Sequence, residues 1–97
     1  MQKNYGDEYV NLGKRIAYYR KKRRISQEEF SKGLDCSIQE VKAIENDYSV
    51  SKDLATGIWS VKDLDFLFAI ADVLEVDVPV FFLPISDETF EKYRTDK

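Results

Sequence analysis

At 97 residues, with 43% apolar side chains and two prolines, the chain is sized for one ordered, helix-rich domain with a single core. A lone cysteine excludes an internal disulfide framework, and the absence of histidine removes the usual residues of zinc sites and His-based catalysis. No apolar run approaches the roughly 18 residues of a membrane span, and the N-terminus lacks a signal-peptide apolar region, so a soluble cytoplasmic protein without metal or cofactor is expected.

The net charge of −3 conceals a split. Residues 1–24 hold eight basic side chains against Asp7 and Glu8, a balance of +6, while the remainder, with seven basic and sixteen acidic groups, stands at −9. A local field steers a polyanion better than a net sum does. The basic run Lys21 to Arg24 also sits where a helix end favours cations, and the two readings are compatible.

The first predicted helix starts after Gly6 or Asp7 and runs to Arg23, with Leu12, Ile16 and Tyr19 at helical spacing and Tyr18 off that stripe, on the surface. Ser26-Gln27-Glu28-Glu29 is an S-x-x-E box opening a short second helix, about Gln27 to Gly33, that buries Phe30 and Leu34. Ser37-Ile38-Gln39-Glu40 is a second box eleven residues later, opening a third helix, about Ile38 to Glu45, with Val41 and Ile44 inward. In each box the Ser hydroxyl accepts a backbone N–H of the first turn and the Glu reaches back to the Ser N–H. Leu34-Asp35-Cys36 is too short for a free loop, so the two helices must cross steeply. A helix-turn-helix has that geometry, and its second helix suits a DNA major groove. Ser31 is the small residue expected at the crossing.

Residues 47–59 form a long link whose sequence does not decide between a strand pair and a helical turn. Ser60-Val61-Lys62-Asp63 resembles another capping box, and a fourth helix follows with Leu64, Leu67, Ile70, Ala71 and Leu74 inward and Phe66 and Phe68 off the stripe. Asp77 and Pro79 suit the start of a short fifth helix that Pro84 should end. Ser86 to Arg94 allows a last helix with Phe90 and Tyr93 on one face.

On this evidence, the stretch Leu12 to Phe82, roughly three-quarters of the chain, resembles the lambda-repressor/Cro-type (XRE-type) helix-turn-helix family. The resemblance rests on Leu12-Gly13-x-Arg15-Ile16 and Arg20, then Ser26 to Phe30 and Leu34. It continues through Ser37, Val41 and Ile44-Glu45-Asn46, then Leu64, Leu67, Ile70, Ala71, Leu74 and Val76, and ends at Phe81-Phe82. It implies an all-α, five-helix lambda-repressor-like DNA-binding domain over residues 1–97. The core would span 8–83, with an insertion at 47–59 between helices three and four and a C-terminal tail at 84–97 that allows an extra helix.

The same resemblance implies a phosphate contact from Gln27, a second from Asn46 beside a helix-capping role, and a structural ion pair between Arg20 and Glu45. Arg24 and Asp35 stand where the family often has Gly, and Cys36 where it has Val, which marks Cys36 as a small hydrophobe rather than a reactive thiol. By spacing, Ile38, Gln39, Lys42 and Ala43 face outward on helix three. Gln39 can pair with adenine, Lys42 can reach guanine or phosphate, Ile38 can touch a thymine methyl and Ala43 leaves space. With Ser37 and Arg24 these complete the candidate DNA-binding set.

The function implied is a non-enzymatic, sequence-specific transcriptional regulator bound to double-stranded DNA, on a palindromic operator, as a homodimer. Its rival is a protein-interaction module on the same scaffold, an antitoxin or anti-regulator with weak or lost DNA binding. For self-association the candidates are Ile58, Trp59, Phe82, Leu83, Ile85, Phe90 and Tyr93.

Overall fold

The computed structural model describes residues 6–48 and 64–97. The link beyond Tyr48, the Ser60–Asp63 box and the contact candidates Ile58 and Trp59 lie outside the described residues. Among the described residues there are five α-helices, α1 (Gly6–Lys22), α2 (Gln27–Leu34), α3 (Ile38–Asn46), α4 (Leu64–Leu74) and α5 (Asp87–Tyr93), with a 3₁₀ helix at Val78–Phe82 between the last two. Among the described residues the only strand-like pairing is a single bridge between Val76 and Arg94.

Helix α1 has Asp7 and Glu8 in its first turn and Arg20, Lys21 and Lys22 in its last, each opposing the partial charge of its end. Leu12, Ile16 and Tyr19 are buried, as the spacing requires. Tyr18, expected on the surface, instead packs against the core, its ring edge-on to Tyr19 at 5.0 Å. Gly13 explains how closely α1 approaches α3. A Cβ there would collide with the Ile44 carbonyl oxygen and lie 2.8 Å from that of Glu45.

Three helices end with a non-glycine residue at positive φ: Arg24 (60°), Asp35 (56°) and Glu75 (56°). Each closes a Schellman motif. In α1 the amides of Arg24 and Ile25 return to the carbonyls of Lys21 and Arg20; in α2 those of Asp35 and Cys36 return to Lys32 and Ser31; in α4 those of Glu75 and Val76 return to Asp72 and Ala71. The Arg24 and Asp35 conformations agree with their standing at glycine-like positions. Glu75 was not foreseen.

The core joins all the helices: Phe30 of α2, Val41 and Ile44 of α3, Leu67, Ile70, Ala71 and Leu74 of α4, and Val80 and Phe81 of the 3₁₀ helix are buried against the α1 stripe. Phe66 packs partly against this core, while Phe68 stays 53% exposed. Leu64, expected inward, is exposed as the first residue of α4, and Leu34, expected buried, is half-buried at the end of α2. The short fifth helix is 3₁₀ rather than α; Asp77 flanks it in extended conformation without a side-chain cap, and Pro lies in its first turn. Helix α5 starts at the Ser86 cap, whose hydroxyl accepts the Thr89 amide at 3.0 Å.

The C-terminal segment is folded onto α1. Phe90 is buried and its ring stacks on Tyr19 at 6.0 Å, 15° from parallel. Tyr93 is partly buried against the same core. Both are candidates for a free association surface by sequence; packing takes Phe90 out of it and leaves Tyr93 half-buried. Phe82 and Ile85 remain exposed.

Candidate nucleic-acid interface

The two capping boxes form as the S-x-x-E spacing requires. The Ser26 hydroxyl accepts the Glu29 amide at 3.0 Å while Glu29 accepts the Ser26 amide at 2.9 Å. The Ser37 hydroxyl accepts the Glu40 amide at 3.0 Å, and Glu40 accepts the Ser37 amide at 3.2 Å. Backbone and hydroxyl hydrogen bonds hold the Glu29 carboxyl below its ordinary range. At the crossing of α2 and α3 Ser31 is buried, and its hydroxyl donates to the Glu28 carbonyl at 2.7 Å, so the small side chain leaves no unsatisfied polar atom there.

Arg20 is buried and grips Glu45 with two donors, Nε to Oε2 at 2.6 Å and Nη2 to Oε1 at 3.1 Å, while Nη1 donates to the Ile25 carbonyl at 2.8 Å. Gln27 joins this pair: its Nε2 donates to Glu45 Oε1 at 3.1 Å. One carboxylate thus ties the end of α1, the start of α2 and the end of α3 together. The pairing of Arg20 with Glu45 was expected; the attachment of Gln27 was not. It depends on α2 starting beside the Arg20–Glu45 pair, which brings the first side chain of the helix within reach of that carboxylate.

On α3, Gln39 and Lys42 are exposed, whereas Ile38 and Ala43 are half-buried. Asn46 is exposed as the last residue of α3, and Asp47 is the C-cap, its amide bonded to the Ala43 carbonyl. Asn46 is therefore not the cap. The Ser37 hydroxyl is engaged in its box, and Arg24 is exposed in the turn before α2. The Cys36 thiol is half-buried, and desolvation, then Glu40 and Asp35, push it up to about 11, which leaves it protonated at neutral pH.

The basic end of α1 divides in two. Arg23 turns toward the C-terminal half. Its Nε and Nη2 donate to the Leu74 and Glu75 carbonyls at 2.8 Å each, capping α4, and it pairs with Asp96 at 2.7 Å. Lys22 pairs with Asp87 at 2.6 Å. Lys21 and Arg24 remain exposed.

Among the described residues no cluster of His, Cys, Asp and Glu could hold a metal, and no helix is long and apolar enough to cross a membrane. The helix-turn-helix family model matches residues 16–58, from the middle of α1 through α2 and α3 into the link. No curated protein and no solved structure shows a significant match. Over residues 16–58 the chain is thus similar to helix-turn-helices of the XRE, or lambda-repressor, type, and its described residues make an all-α fold consistent with a lambda-repressor-like domain. That family is one of DNA-binding regulators.

Proposed function

We propose that this protein is a sequence-specific transcriptional regulator that sets α3 in the DNA major groove and binds a roughly palindromic operator as a homodimer. The observation that carries the reading is the pair Gln39 and Lys42, exposed on an α3 whose first turn is closed by a capping box and whose last turn is pinned through Glu45. Gln39 reads adenine, Lys42 guanine or a phosphate, and Ile38 contacts a thymine methyl beside the small Ala43. Gln27, Asn46 and Arg24 hold phosphates, and Ser37 fixes the first turn of α3.

Electrostatics make this a sparing binder. Ser26 to Asn46 carries two basic and five acidic side chains. Glu29 and Glu40 are engaged in their boxes, Glu45 is matched by Arg20, and Glu28 lies 3.4 Å from Lys32. The local field is weak, so affinity rests on a few contacts and sequence choice leans on DNA shape. The same acidity, with Lys22 and Arg23 drawn to Asp87 and Asp96, favours the protein-interaction module as the second reading.

Selection from random duplex DNA at near-physiological salt separates the two. An enriched palindrome supports the regulator, its half-site spacing gives the dimer geometry, and log K should fall against log salt by about 0.9 per phosphate neutralised. No enrichment, even at low salt, overturns the regulator and favours the interaction module.

A further inference from the structure

We propose that Glu45 is a positioning residue for DNA binding, acting through Gln27; this rests on the reading of Gln27 as a phosphate ligand. The Glu45 side chain is 8% exposed and accepts from both Arg20 and Gln27. A primary amide has two N–H donors. One of those on Gln27 is committed to Glu45, which sets the direction of the other. A glutamine left free would have to give up rotamer freedom when it met a phosphate; here that ordering takes place on folding.

The arrangement also answers an objection of sign. A carboxylate near a phosphate repels it. Arg20 meets Glu45 through two donors and is itself buried, so the pair is neutral as a unit, and the half-buried Gln27 carries the amide donor next to it. Arg20 therefore has two tasks, to lock α1 to α3 and to cancel a charge beside the DNA backbone.

The test uses the duplex selected by the wild-type chain and a double-mutant cycle of Glu45→Gln and Gln27→Met, with titrations run where circular dichroism shows all four proteins folded. Gln27→Met keeps the length of the side chain and removes both donors. The loss caused by Glu45→Gln should be about two- to ten-fold greater in the wild-type background than in Gln27→Met, the range expected for ordering one long side chain. Taking the difference between backgrounds removes the effect of the uncompensated Arg20 charge, which is common to both. Equal changes in both backgrounds overturn the proposal alone. Unaltered binding by Gln27→Met overturns the phosphate role of Gln27 and the proposal with it. If Glu45→Gln does not fold, side-chain amide relaxation of Gln27 in the free wild-type protein decides: an ordered amide supports the positioning role, and a freely rotating one overturns it.

Discussion

Replacing Phe90 by alanine separates a packed C-terminal helix from a detachable tail. Phe90 is 5% exposed and stacks on Tyr19, with the guanidinium carbons of Arg23 and Arg94 4.8 and 5.2 Å from its ring centroid. Removing a core phenylalanine costs about 3–5 kcal/mol, and a site this near the surface, where water can enter the gap, belongs at the low end, about 3 kcal/mol. A small domain holds only about 5–15 kcal/mol in total. At about 4–8 °C per kcal/mol for a chain of this size, the melting temperature should fall by roughly 12–24 °C. Phe82→Ala, the same chemistry at a position 59% exposed, should cost about 1 kcal/mol or less. The ion pairs of Asp87 and Asp96 are surface contacts, so Asp87→Asn with Asp96→Asn should cost less than Phe90→Ala. Thermal and urea unfolding followed by far-ultraviolet circular dichroism measure all of these. A Phe90→Ala protein within about 1 kcal/mol of wild type, or a chain truncated after Pro84 with an unchanged melting temperature, would refute the reasoning.

Arg20→Ala and Glu45→Ala should each lose about 3–5 kcal/mol, with the double variant losing clearly less than their sum; additive losses in denaturant titrations would show that the two do not act as a pair. Gln39→Ala should weaken the selected duplex by about 1–3 kcal/mol and relax one base position; an unchanged selected motif would rule out readout by this side chain. The carboxyls of Glu29, Asp87 and Asp96 are held below their ordinary range, by the Ser26 backbone, by Lys22, and by Arg94 and Arg23 respectively. Their depressed folded-state values give stability that is fully present above the unfolded carboxylate pKa of about 4 and is lost as pH falls through the folded values. Melting temperature followed from pH 6 toward pH 2 should therefore drop at the acid end, less steeply in Asp87→Asn with Asp96→Asn; an identical slope would refute the linkage. Glu75→Gly should raise stability by roughly 0.5–1 kcal/mol, because relief of about 1–2 kcal/mol at a left-handed position exceeds the added unfolded-state entropy of about 0.4–1 kcal/mol; a lower melting temperature would count against strain at Glu75.

The sequence by itself determined what is local. The S-x-x-E boxes, the turn at Asp35 and the inward stripes of α1 to α4, apart from the exposed Leu64 and the half-buried Leu34, depend on residues within a few positions of one another and formed where the spacing placed them. The Arg20–Glu45 pair was legible through family resemblance, although 25 residues separate its members. Tertiary structure alone decided the rest. Whether Phe90 is a free aromatic or a core residue depends on Tyr19, on another helix, and hydrophobic burial carries no sequence address. Lys22 and Arg23 read as a basic run, yet their partners lie 65 and 73 residues away, so half of the expected positive field is spent inside the fold. Gln27 was legible as a donor at the start of a helix, but its attachment to Glu45 required α1, α2 and α3 to meet at one carboxylate, which the close approach at Gly13 and the small Ser31 permit.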